Sequence, residues 1–173
     1  MPDWLPPMLT VDPWQDATWG MLYAVFCRDI KNSRLYYKGH HVWFFPDKED
    51  GKEILFWHLT GRKNKSTQAP RRMRHFYPNG IIEAERLPNF PRSARLTWVR
   101  PLIEHPDDPE VLAWDHKEDD GVIKTYVWLK AYDFVVIMKK NPDDTRRLIT
   151  SYFVDEDYMR EDFEKKWKKR IQG

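Results

Sequence analysis

The 173 residues are 41% hydrophobic and 15% aromatic, with nine tryptophans, enough for one packed domain and too apolar for a disordered chain. Lys and Arg exceed Asp and Glu by only two (29 against 27), a formal net charge of +2, so the chain is no polycation and any nucleic-acid surface must come from local clustering of charge. The single Cys27 excludes an internal disulfide or a multi-cysteine zinc site and favours a reducing compartment. No opening leader and no run of membrane-spanning length is found, which predicts a soluble, cytoplasmic protein with no membrane partner.

Taken in chain order, "VDPWQDATWGMLYAVFCRDIKN" predicts an amphipathic helix with Asp12 as N-cap and Pro13 at the first helical position. Trp14, Ala17, Met21, Val25 and Phe26 fall on its inner face. "HHVWFFPDKEDGKEILFWHLTG" predicts a hairpin around Asp50-Gly51, with His58 on its second strand. "GRKNKSTQAPRRMRHFYPNG" has no acid and carries Arg62, Lys63, Lys65, Arg71, Arg72 and Arg74. Its Gly, Pro and Ser punctuation predicts a loop or lid. "FPRSARLTWVRPLIEH" predicts a helix interrupted at Pro101, with Arg92 and Arg95 on one face.

Four strand-like runs follow, "EVLAWDH", "GVIKTYVWL", "DFVVIMKK" and "RRLITSYFV", joined by polar turns that favour an antiparallel meander. On the second run Lys124, Tyr126 and Trp128 share a face, and on the last Leu148, Thr150 and Tyr152 do. A closing helix repeats Met159, Phe163, Trp167 and Ile171 every four residues, acids leading and bases trailing. The expected fold is therefore α+β in one domain, 1–173. An N-terminal helix and hairpin elaboration (1–52) precedes a core (53–173) in which a curved antiparallel sheet of about four to six strands carries helices on one face.

The pieces "FWHLTGR", "RSARLTWVRPLI", "AWDH", "TYVWLKAYDFVVI" and "LITSY" follow one another in an order that resembles the Barnase–EndoU–colicin E5/D–RelE superfamily of small RNases, in its phage and prophage branch. The resemblance covers roughly Glu53 to Arg170. It implies a barnase- or RelE-like fold and a metal-independent endoribonuclease without cofactor, in which the substrate's 2′-OH attacks to leave a 2′,3′-cyclic phosphate. It also implies an RNA partner, tRNA or mRNA, and an antitoxin or immunity protein to protect the producing cell. Its site-side hydroxyls fall on Thr150 and Tyr152.

Such chemistry needs an acid and a base beside fixed cations. His58, then His116 beside Asp115, are the acid–base candidates, with Lys124 and Arg95 as cations. Arg62, Arg71, Arg72, Arg74 and Arg92 are candidate phosphate ligands, and Tyr126 and Trp128 candidate base-stacking rings. No HxxxH or CxxC spacing suggests a metal site. Two other readings fit the same residues: a noncatalytic nucleic-acid- or protein-binding module of the same fold, and a phage accessory protein that docks through its tryptophan-rich N-terminus.

Overall fold

The computed structural model describes residues 1–63, 67–82 and 86–172. The fold is α+β, built on one curled six-stranded sheet. Helix α1 spans Asp16–Phe26 and runs into a π-helical turn, Cys27–Lys31. It starts three residues after the expected position. The Thr18 hydroxyl accepts from the Gln15 backbone N–H at 3.2 Å and the Thr18 N–H donates to the Gln15 carbonyl at 2.9 Å, so Gln15 rather than Asp12 caps the helix. Leu22, Val25 and Phe26 are its buried residues.

The N-terminal hairpin is present, but its strands are β1 (Leu35–Tyr37) and β2 (His40–Trp43). Lys38 and Gly39 turn it with φ of 48° and 80°, the paired positive φ that tight hairpins use. The run expected as its second strand is instead helix α2, Ile54–Thr60. "ILFW" is apolar at every position, so alternation cannot separate strand from helix there. Helical spacing wins because Leu55, Phe56 and Leu59 then form one inward stripe, 5%, 0% and 0% exposed. The Thr60 hydroxyl closes the helix on the Phe56 carbonyl at 2.8 Å.

Residues 90–104 form α3 (Phe90–Ala94), a 3₁₀ turn and α4 (Val99–Glu104). The break falls at Arg95, whose φ and ψ of −102° and 13° leave the helix, and Pro101 is tolerated inside the first turn of α4. The meander follows as expected: β3 (Leu112–Lys117), β4 (Ile123–Leu129), β5 (Phe134–Lys140) and β6 (Arg146–Phe153). The spatial order is β1-β2-β6-β5-β4-β3, antiparallel except where β6 lies parallel to β2.

Both sheet faces carry buried side chains. Val127, Leu129, Phe134, Val136, Met138 and Leu148 face the larger core, against α1, α2 and α4. Trp114, Tyr126, Trp128, Val135 and Ile137 face the other side. That side is covered by helix α5, Asp157–Lys168, through Met159, Phe163 and Trp167. Ile171 lies past its end and is exposed. The N-terminal tryptophans join the larger core. Trp4 stacks on His105 at 4.4 Å, Trp14 on Phe90 at 5.6 Å, and Trp19 meets Trp57 edge-on at 5.1 Å. This placement removes them as an exposed docking patch. No helix among the described residues is long and apolar enough to cross a membrane.

Candidate functional site

Three segments far apart in sequence meet at the end of α2. The His58 carbonyl accepts from the Thr150 hydroxyl at 3.2 Å and from Arg92 Nη1 at 2.8 Å. The same Arg92 nitrogen reaches the Gly61 carbonyl at 3.1 Å, and Asn89 N–H and the Ser93 hydroxyl donate to the Thr60 carbonyl. These are carbonyls that a helix C-terminus leaves without partners of its own. Thr150 and the α3 residues supply them, and so hold α2 to β6.

A one-residue irregularity makes this geometry possible. Between Ile137 and Met138 the register of β5 on β6 slips, with Ile137 opposite Thr150 and Met138 opposite Leu148, leaving Ile149 as the extra residue of a β-bulge. Leu148 therefore faces the larger core while Thr150 and Tyr152 share the opposite face. The expected common face of all three is corrected to the last two. Ser151 is fully buried, and its hydroxyl has no hydrogen-bond partner.

Two concavities flank the junction. The larger, about 470 Å³, is lined by Pro88, Asn89, Phe90, Arg92, Tyr152, Asp155 and Met159 among others. Arg92 lies 5.8 Å from the Tyr152 ring centroid. Burial raises the Tyr152 pKa, with Lys166 and Arg92 pulling the other way, so the hydroxyl stays protonated and is a donor at neutral pH. The smaller, about 200 Å³, is lined by Phe45, Asp47, Ile54, His58, Arg147 and Ile149 among others. His58 is exposed there on α2, and Arg147 lies over the Phe45 ring at 4.6 Å. Arg147 and Asp47 were not singled out from the sequence. Arg147 opens a strand whose site side had been read from Thr150 and Tyr152, and the bulge changes that reading.

Arg95 caps α3 and points elsewhere than Arg92. Its guanidinium stacks on Phe153 at 4.3 Å and Trp98 at 5.2 Å, and Nη1 donates to the Pro91 carbonyl at 2.9 Å. Successive strand residues point to opposite faces, so the two arginines straddle the end of β6 and do not grip one phosphate together. Burial lowers the Arg95 pKa, opposed by Asp133, although a guanidinium remains charged at any ordinary pH.

The other expected residues lie apart. Lys124 is on β4, two strands from β6, about 10 Å by strand spacing alone. His116 pairs with Lys124 across β3 and β4, three strands from β6, about 14 Å by the same spacing. Neither lines either concavity. Tyr126 and Trp128 are 2% and 0% exposed beneath α5, which withdraws them from base stacking. The Tyr126 hydroxyl donates instead to Glu118 Oε1 and accepts from Lys166 at 3.0 Å. Arg71, Arg72 and Arg74 are exposed on a 3₁₀ turn, Arg71–Phe76. The side chains of Arg62 and Lys63, and all of Lys65, lie outside the described residues.

Among the described residues no three His, Cys, Asp or Glu side chains converge in a metal-binding arrangement. A scan against protein-family models and searches of curated proteins and of solved structures found no match to this chain.

Proposed function

We propose that this chain is a metal-independent endoribonuclease of toxin or phage type, acting in the cytoplasm at the junction of α2, α3 and β6. The reading rests on the resemblance to the Barnase–EndoU–colicin E5/D–RelE superfamily. The observation that carries it is the meeting of Arg92 and Thr150 on the His58 carbonyl, with Tyr152 beside Arg92 in one flanking concavity and the His58 ring in the other. In this reading His58 takes the proton from the 2′-OH as O2′ attacks phosphorus. The P–O5′ bond breaks, and the departing oxygen takes a proton from a donor on the far side of Thr150, where Tyr152 stands. Arg147 and Arg92 offset charge building on the phosphate oxygens. An active enzyme of this kind requires an antitoxin or immunity protein in the producing cell.

A second reading has its own support. Thr150 and Arg92 Nη1 are engaged in capping α2, which suits a noncatalytic RNA-binding module on the same frame. Incubation with labelled tRNA and with mRNA in EDTA separates the two. Cleavage leaving a cyclic phosphate, abolished in His58→Ala and reduced at least about tenfold in Arg147→Ala with unchanged melting temperatures, is the expected result. RNA retention without cleavage by the wild type overturns the nuclease and leaves the binding module.

A further inference from the structure

Between Gly61 and Pro88 the described residues form an arm of two short ribbons. Its root is a short antiparallel ribbon, Gly61–Lys63 on Arg86–Pro88, and a second ribbon pairs Thr67–Gln68 with Ile81–Ile82 further along the chain. The root belongs to the candidate site, since Pro88 and Asn89 line the larger concavity with Arg92 and Tyr152. The arm beyond it is built to a fixed shape. Ala69 N–H donates to the Gly80 carbonyl at 2.9 Å, and Arg74 Nε to the Ala69 carbonyl at 3.2 Å. Asn79 and Gly80 turn with φ of 55° and 68°. The aliphatic stem of Arg74 lies where a Gly80 Cβ would meet it, at 3.4 Å. Arg74, one of the five candidate phosphate ligands, therefore also serves as a strut of the arm.

What the strut holds out is unusual for a water-facing segment. Phe76 is 71% exposed, the highest value among the exposed large hydrophobic residues described. Its ring lies 4.0 Å from that of His75, which is exposed beside it, as are Arg71 and Arg72. Residues 67–82 contain no Asp or Glu, so nothing within that stretch neutralises the two arginines.

We propose that the arm is a single-strand RNA clamp, in which Phe76 stacks on an unpaired base while Arg71 and Arg72 hold the adjoining phosphates. The proposal rests on the RNA-directed reading above and narrows its substrate to unpaired RNA. Charge alone would serve a duplex equally well. An uncovered phenyl ring finds no face to stack on in a paired helix, whereas a splayed base offers one.

The test is fluorescence anisotropy with a short labelled oligouridylate carrying 2′-O-methyl riboses, which blocks attack by the 2′-OH, beside a 2′-O-methyl duplex of equal length. Phe76→Ala should weaken single-strand binding by about 5- to 150-fold and leave duplex binding and the salt slope unchanged, with Phe76→Trp restoring affinity. Replacing Arg71 and Arg72 by alanine should flatten the salt dependence by about 0.7 per arginine. Equal binding by Phe76→Ala and wild type, an equal loss on both probes, or no binding of the single strand by wild type would each overturn the clamp. Cleavage is scored separately on unmodified RNA. A wild type that binds the blocked strand but cuts nothing refutes the nuclease and leaves the clamp standing, while cleavage with unaltered Phe76→Ala binding does the reverse.

Discussion

Replacing Asp115 by alanine should expose how the sheet carries a buried cation. Arg146 is 5% exposed. Its Nε donates to the Thr125 hydroxyl at 2.8 Å, its Nη1 to the Asp144 carbonyl, and its Nη2 lies 3.5 Å from Asp115 Oδ2. The Thr125 hydroxyl donates to Asp115 Oδ1 at 2.6 Å, and Lys140 stands 3.7 Å from Oδ2. The guanidinium lies 5.2 Å from the Tyr37 ring centroid, so one carboxylate neutralises a charge set among aromatic and apolar groups. Breaking a buried ion pair from one side costs about 3–5 kcal/mol. The Asp115 side chain is 21% exposed, so water can reach it in part, and the lower end, about 3 kcal/mol, is expected. Arg146→Met removes the orphaned charge along with its partner's need for it. The double variant should therefore be more stable than Asp115→Ala alone, with a coupling of about 2 kcal/mol. Urea unfolding followed by tryptophan fluorescence supplies all four corners of the cycle, provided the slope with denaturant is unchanged. A loss below about 1 kcal/mol for Asp115→Ala, or strictly additive singles, would refute the reasoning.

Two further perturbations test other parts of the frame. The Glu53 carboxylate is 2% exposed, accepts from the Tyr23 hydroxyl at 2.8 and 3.1 Å, and lies 2.9 Å from Lys31 Nζ. Burial pushes its pKa up, but the bonds from Lys31 and Tyr23 outweigh it and leave the value lowered. The folded pKa is thus below the unfolded one, near about 4.3. Its stabilisation is complete above that pH and drains away as pH falls through the folded value. Unfolding free energy measured from pH 6 to pH 2.5 should fall less steeply in Glu53→Gln than in wild type, and parallel curves would disprove the linkage. Gly61 sits where a Cβ would meet the Leu87 carbonyl oxygen at 2.7 Å. Gly61→Ala should therefore force the arm's root apart and cost about 1–3 kcal/mol, read as a lowered melting temperature; an unchanged one would show that the ribbon yields freely.

The meander was legible because its strands alternate cleanly between turn residues, and Asp133 and Asp144 do take positive φ of 54° and 68° at its turns. α2 was not, because a continuous apolar run fits both periods and only the packing of Phe56 and Leu59 decides. Tyr126 and Trp128 were correctly placed on one face with Lys124. What hides them is α5, whose sequence stripe shows that it packs but not on which side of the sheet. Arg92 was found as a residue type suited to phosphate binding, and Thr150 and Tyr152 through the resemblance alone. The reach of Thr150 to the His58 carbonyl depends on a bulge at Ile149 that nothing in "RRLITSYF" announces. The strand's polar content has a structural explanation alongside the proposed one: Arg146 is paired beneath the sheet and Thr150 caps a helix.

The parallel seam between β2 and β6 also sets an order of events during synthesis. Arg146 and Arg147 lie opposite Val42 and Trp43, so the inner edge of an early hairpin waits for a strand made about a hundred residues later. At ribosomal rates of about 5–20 residues per second that edge stays unpaired for several seconds or more, the interval in which a bare strand invites pairing with another chain. His40 and His41, exposed on β2, place polar groups on the waiting strand. Release of the C-terminal strand closes the sheet, so truncation before Arg146 would leave a nascent protein with its hairpin permanently unfinished.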